Sequence, residues 1–286
     1  PLHIGPITYR TRDYVVLRLT DDAGIQGVGV GYTRGTPLLA ATSTLVEQLD
    51  GLGTDPGDVH RTLQGRFAPG WAGMVRAASL LDIALWDLQA RQAGKPMWAM
   101  FGSAPRNVPL MVVAGYFMDV RGRAAILDEI DGFVAEGYQT MKLIVGGSDV
   151  QEDADLVQAI AARVPSGVDI AIDVHGAFRD PTDAIAYARA FVDLPVSFVE
   201  DPCPNFEIAE LCEVARRSPV RIATGEDLIS VSAYGQLVAA GVSLLRVDAT
   251  SIGGYTPALE GIRMAESAGH GIAPHVWPPV HMPLVA

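Results

Sequence analysis

A chain of 286 residues, 49% of them hydrophobic and 19% charged, can bury a sizeable core in one large domain or two smaller ones. Its net charge of −12 argues against nucleic acid or anionic membrane as a partner, because phosphate contacts need a surplus of lysine and arginine. Two cysteines, Cys203 and Cys212, make no disulfide framework, and no bilayer-length apolar run or signal peptide is visible, so a reducing cytoplasm is the expected setting.

In chain order, residues 6 to 32 read as an antiparallel meander, with "YVVLRLT" and "QGVGVGY" flanking the turn signal "DDAG". The run "VGVGYTRG" sits in this hairpin and not between a strand and a helix, so it carries no weight as a nucleotide-binding loop. Residues 36 to 102 read as helical. "RAASLLDIALWDLQARQAGKPMWAMFG" places Leu81, Ala84, Leu85 and Leu88 on one stripe and stops at Gly94-Lys95-Pro96.

Beyond residue 108 short apolar strands alternate with amphipathic segments: "VPLMVVAG", "QTMKLIVGG", "VDIAIDVH", "VSFVEDP", "VRIATGED", "SLLRVDAT" and "GIAPHVW". Strands alternating with helices imply βαβ units and a parallel sheet. Seven such strands predict an α/β fold of the (β/α)-barrel type, residues 109–286, with residues 1–108 as a separate N-terminal domain. A doubly wound open sheet is the alternative. The eighth strand is not seen, so the barrel is expected either to be truncated at its C-terminus or to end in an atypical strand.

Polar residues recur at the predicted strand ends: Lys142, Asp173 with His175, Glu200, Glu226, Asp248 and His275. Successive intervals from Asp173 to His275 are 27, 26, 22 and 27 residues, each about one βα unit. In a barrel, strand C-termini converge on one mouth, so this phase gathers side chains far apart in sequence. Asp173, Glu200 and Glu226 would repel one another without a cation between them, and oxygen-only ligands suit Mg²⁺. Any one of them alone could instead cap a helix. Asp201 and Asp227, one residue later in the pleat, are the better capping candidates.

These residues carry a resemblance. "ASLLDIALWDLQARQAGKPMWAMFG", "FVEDP", "ATGEDL", "VDATSIGGYTPALE" and "IAPHVW" resemble the linker helix, the ligand strands and the Asp and His strands of the enolase superfamily, in its mandelate racemase/muconate lactonizing enzyme branch. The resemblance covers nearly the whole chain. It implies a modified TIM barrel under an N-terminal α+β cap, and Mg²⁺-assisted removal of a proton α to a carboxylate.

Two departures narrow the reading. The branch's usual Lys-x-Lys strand is here "MKLIV", with Lys142 at the first lysine and Ile144 at the second, which is normally a base. Ile144 accepts no proton, so a two-base racemase is disfavoured, while Lys142 remains as a fixed cation. After Asp173 many members carry Asn where this chain has His175. Strand alternation would place Asp173 and His175 on one face about 7 Å apart. An Asp-x-His strand resembles the branch's acid-sugar dehydratases, in which the histidine helps a β-hydroxyl depart. His275 is the candidate base, with Asp248 fixing its tautomer.

The predicted function is Mg²⁺-dependent dehydration of a sugar acid to a 2-keto-3-deoxy acid. Asp173, Glu200 and Glu226 are the metal ligands, and His275, Asp248, His175 and Lys142 the catalytic groups. The alternatives are a racemase, epimerase or cycloisomerase of the same superfamily, or a non-catalytic ligand-binding homologue. A homo-oligomer is expected. His270 and His281 have no assigned role, and His3, Tyr9 and Arg10 are candidates for a loop over the substrate.

Overall fold

Apolar strands alternate with amphipathic helices beyond residue 108 of the computed structural model. It describes residues 2–4, 7–147 and 149–286, and excludes the side chains of residues 3, 4, 7 and 9. The substrate-loop expectation for the His3 and Tyr9 side chains therefore lies outside the described residues; Arg10 is exposed. The elements run β1 (Leu2–Ile4), β2 (Ile7–Tyr9), β3 (Tyr14–Thr20), β4 (Gln26–Tyr32), α1 (Leu38–Val46), α2 (Pro56–Arg66), α3 (Trp71–Ala93) and α4 (Met97–Met100). There follow β5 (Met111–Ala114), α5 (Met118–Ala135), β6 (Thr140–Ile144), α6 (Val150–Ala161), β7 (Asp169–Asp173), α7 (Pro181–Arg189), β8 (Val196–Glu200) and α8 (Ile208–Arg217). The chain closes with β9 (Ile222–Thr224), α9 (Val231–Ala239), β10 (Leu244–Leu245), α10 (Tyr255–Ser267), β11 (Gly271–Ile272) and α11 (Pro278–Val285). Two units interleave along it: Pro1–Thr11, Pro109–Thr224 and Gln236–Leu245 form one, and Arg12–Val108, Gly225–Gly235 and Arg246–Ala286 the other. Among the described residues no helix is long and apolar enough to cross a membrane.

In the first unit β5 to β10 lie side by side in chain order, all parallel. Order that never reverses is the winding of a (β/α)-barrel; a doubly wound sheet changes direction at a switch point. Registers set Ile144 beside Asp173 and Asp173 beside Glu200, which brings successive strand ends level. Ala171 and Ala223 flank Phe198 on the intervening strand, and this small–large–small alternation packs one face of the sheet. The helices between begin at sequence-encoded caps. Asp149 accepts from the Gln151 and Glu152 amides ahead of α6, and Asp180, followed by Pro181, accepts from Thr182 ahead of α7.

The second unit explains the glycine run that looked like a nucleotide loop. β3 and β4 form a hairpin whose turn is closed by Asp21 Oδ1, which accepts from the Ala23 and Ile25 amides. Gly27, Gly29 and Gly31 point at α3. A Cβ on Gly29 would sit 1.9 Å from the Leu80 carbonyl oxygen, and one on Gly27 2.1 Å from that of Ala84. The alternating glycines thus let the α3 backbone lie directly on the strand. Leu80, Leu81, Leu85 and Leu88 are all buried there, each contributing about 1.5–3 kcal/mol relative to exposure. α3 ends where the sequence predicts: Gly94 is left-handed at φ 60°, and the Lys95 amide returns to the Ala90 carbonyl.

Two details differ from expectation. The N-terminal strands form two separate two-stranded sheets, β1–β2 and β3–β4, and not one continuous meander. The pairing of β1 with β2 belongs to the unit that carries the parallel strands. Asp82 on α3 is buried and accepts from the Thr256 amide at 3.0 Å, so its carboxyl serves the first turn of α10. Burial pushes that carboxyl up to about 7, against hydrogen bonds from Thr256 and Tyr255 that lower it.

Candidate active site

The first unit gathers four of the predicted groups: Lys142, Asp173, His175 and Glu200. Lys142, in mid-strand on β6, is 4% exposed, so it is no solvated strand-end lysine. Its Nζ lies 2.7 Å from Asp173 Oδ2 and donates to Glu200 Oε1 at 2.6 Å. Both carboxylates are buried at the ends of β7 and β8. Burial would raise Asp173, but Lys142 and then His175 overcome it and hold the carboxyl well below its usual range. Asp173 and Glu200 thus set carboxylate oxygens side by side in a desolvated site, on either side of the Lys142 ammonium. An all-oxygen donor set of this kind fits a hard divalent cation.

His175 is not where strand alternation would place it. β7 ends at Asp173, and His175 takes a left-handed φ of 49°. The turn folds the ring back, so Nδ1 lies 2.8 Å from Asp173 Oδ1, and the His175 amide donates to the same oxygen at 3.1 Å. The expected spacing of about 7 Å assumes extended backbone, which the chain abandons two residues earlier. A positive φ on a non-glycine residue is costly and recurs at functional sites.

Asp201 and Asp227 also differ from expectation. Asp201 Oδ1 accepts from the Thr224 hydroxyl at 2.6 Å and Oδ2 from the Asn205 amide at 3.1 Å, while α8 starts after Glu207 with no side-chain cap. Asp227 is held by two arginines: Arg34 donates to Oδ2 at 2.5 Å and Arg76 to Oδ1 at 2.7 Å. Side-chain donors thus take each carboxylate in place of a helix end, neutral ones for Asp201 and charged ones for Asp227.

The second unit gathers Glu226, Asp248 and His275. Asp248 and His275 lie three residues past β10 and β11, and the His275 amide donates to the Val247 carbonyl at 2.8 Å. His275 Nδ1 lies 2.8 Å from Asp248 Oδ2, and its Nε2 lies 3.3 Å from Glu226 Oε2. The opposite oxygen of Asp248 accepts from the Thr250 amide at 2.7 Å and the Thr250 hydroxyl at 2.6 Å. Burial raises Asp248, but the His275 hydrogen bond and the other donors hold it well below the usual range. An ionised Asp248 accepts the Nδ1 proton of His275, and Nε2 is the ring nitrogen that faces Glu226.

His281 was without a role in the sequence and lies 3.3 Å from Asp248 Oδ1. The contact is no ion pair. Nδ1 of His281 faces the Val276 carbonyl at 2.8 Å and Nε2 accepts from the Ala249 amide at 2.9 Å, so the ring is neutral with its proton on Nδ1. Thr250 was legible as Asp-x-Thr, a spacing suited to a local side-chain turn. Arg34 and Arg76 carried no sequence signal, since only the fold brings them to Asp227.

The profile of the mandelate racemase / muconate lactonizing enzyme N-terminal domain matches residues 1–102, and that of the enolase C-terminal domain-like family matches residues 125–286. The chain is 28% identical over 273 residues to the 3,6-anhydro-alpha-L-galactonate cycloisomerase of Streptomyces coelicolor, which covers 91% of this chain and 75% of that protein. It is 28% identical over 285 residues to the L-talarate/galactarate dehydratase of Salmonella typhimurium, covering 95% and 70%. The crystal structure of L-talarate dehydratase from Polaromonas sp. JS666, complexed with Mg and L-glucarate, superposes with a TM-score of 0.84 at 26% identity, covering 96% of this chain and 75% of that one.

Proposed function

The chain belongs to the mandelate racemase/muconate lactonizing enzyme branch of the enolase superfamily, and from that premise we propose that it is a magnesium-dependent dehydratase of a sugar acid. The observation that carries the reading is the Asp248–His275 pair at 2.8 Å, with both residues buried. A ligand-binding homologue has no use for a base so prepared.

In this reading Asp173, Glu200 and Glu226 hold the magnesium, as the phase of the sequence suggests. The bound ion would clamp the substrate carboxylate and offset the charge that develops on it. His275 Nε2 takes the α-proton, and Asp248 stabilises the imidazolium. The C–H electron pair moves into the enediolate, and Lys142 Nζ offsets its negative charge. Collapse of the enediolate breaks the β C–O bond. His175 supplies the proton with which the hydroxyl leaves as water, and the resulting enol becomes the 2-keto-3-deoxy acid. Mg and L-glucarate in the Polaromonas dehydratase support both the metal and the substrate class.

Ile144 favours dehydration over two-base epimerisation. It is 5% exposed at the end of β6, beside Asp173, and offers no proton chemistry where a second lysine would stand. Cycloisomerisation is the second reading, favoured by the Streptomyces relative of equal identity. Product analysis separates them. Purified protein with Mg²⁺ and a panel of sugar acids should release a 2-keto acid without accumulation of an α-epimer. An epimer or a cyclised isomer accumulating without keto acid would overturn dehydration, and full turnover in chelator would overturn the metal.

A further inference from the structure

We propose that Arg34 and Arg76 are positioning residues that grip Asp227 and thereby set the carboxylate of its neighbour Glu226; the inference rests on the reading of Glu226 as a metal ligand. Glu226 lies on a tight turn in which the Leu228 amide donates to the Gly225 carbonyl at 3.2 Å and Gly225 adopts φ 130°. The turn is anchored on its backbone side by Ser251, whose hydroxyl donates to the Glu226 carbonyl at 2.6 Å. On its side-chain side the anchor is Asp227, with one oxygen on each arginine. Arg34 also reaches Glu226 Oε1 at 3.5 Å, so one guanidinium spans both acids.

Arg34 is itself built into place. It follows β4 with a left-handed φ of 45°, a conformation that costs a non-glycine residue free energy. The Thr36 amide and hydroxyl both donate to the Thr33 carbonyl, at 2.8 and 2.6 Å, and close the loop around it. Its guanidinium stacks 4.8 Å from the centre of the Tyr32 ring. Both guanidinium side chains are largely withdrawn from water, at 14% and 15% exposure. Planar forks in a partly dry site fix direction as well as charge, which a mobile surface pair does not.

The sign of the metal response makes the proposal testable. On charge alone, removing a guanidinium beside a metal ligand should tighten cation binding. Loss of affinity on removing Arg34 therefore reports positioning. Calorimetric titration of the full chain with Mg²⁺ should show Arg34→Gln, Arg76→Gln and Asp227→Asn each weakened by about 10–100-fold, the usual effect of losing a group that orients a ligand. Arg34→Lys keeps the charge but not the fork and should recover part of the loss. Arg34→Gln combined with Asp227→Asn should be little worse than either alone, since both break one contact. Circular dichroism confirms which variants are folded; if Arg34→Gln is not, Arg76→Gln and Asp227→Asn carry the test. Unchanged or tighter Mg²⁺ binding in the folded arginine variants, with Glu226→Gln weakened, overturns the positioning role alone. Undiminished binding in Glu226→Gln overturns the ligand reading, and the inference with it.

Discussion

Asp248 Oδ2 lies 2.8 Å from His275 Nδ1, while the other oxygen of the same carboxylate takes two donors from Thr250. The pair leaves His275 Nε2 as the ring nitrogen not engaged by Asp248. If that atom removes the α-proton and His175 protonates the leaving group, the two histidines act at different steps. His275→Asn should abolish both dehydration and α-proton exchange with D₂O. His175→Asn should lower dehydration by ~10²–10⁴-fold and retain exchange. NMR in D₂O with a turned-over sugar acid reads both. Exchange lost in His175→Asn but kept in His275→Asn would reverse the roles.

Lys142, Asp173 and Glu200 form a buried ion cluster within one unit. Glu200→Gln removes a charged oxygen donor and should weaken Mg²⁺ binding by at least about tenfold. It also takes from Lys142 one of its two carboxylates, so the thermal midpoint should drop as well. Calorimetry and a melting curve measure the two effects separately. Unaltered Mg²⁺ affinity would remove Glu200 from the ligand set.

Asp82 imposes a pH dependence of known sign. Its carboxyl is pushed up to about 7 in the fold from an ordinary value of 3.8. Between those values the native state holds a proton that the unfolded chain has released, so this contribution to stability is full below about 4 and lost as pH rises through 7. With roughly 1.4 kcal/mol for each tenfold change in proton affinity, the loss amounts to a few kcal/mol. Asp82→Asn keeps an acceptor for the Thr256 amide and removes the titration. The stability of the variant relative to wild type should therefore increase from pH 4 to pH 7, as measured by denaturant midpoints. A pH-independent difference would contradict the assignment.

Gly29 marks the closest approach of α3 to β4. Gly29→Ala would place a methyl 1.9 Å from the Leu80 carbonyl oxygen, a backbone atom that cannot rotate aside. Destabilisation of about 1–3 kcal/mol or more is expected. Gly53→Ala, where a methyl meets nothing within 4 Å, serves as the control and should change stability little. Equal midpoints for the two variants would refute the close-packing account.

Local chemistry made much of this protein legible in its sequence. The strands carrying Lys142, Asp173 and Glu200, the stop at Gly94 and the turn at Asp21 follow from apolar periodicity, from glycine's tolerance of positive φ and from side-chain oxygens placed two to four residues from an amide. The phase of polar residues at strand ends named the candidate site, because a repeating βα unit converts sequence interval into spatial position. Tertiary structure decided the rest. The reversal of His175 onto Asp173 depends on a left-handed residue just past the strand, which the alternating pattern does not encode. The neutral state of His281 is set by a carbonyl and an amide on both its ring nitrogens. The grip of Arg34 and Arg76 on Asp227 joins residues more than 150 positions apart, and no local preference of the chain reports such a contact.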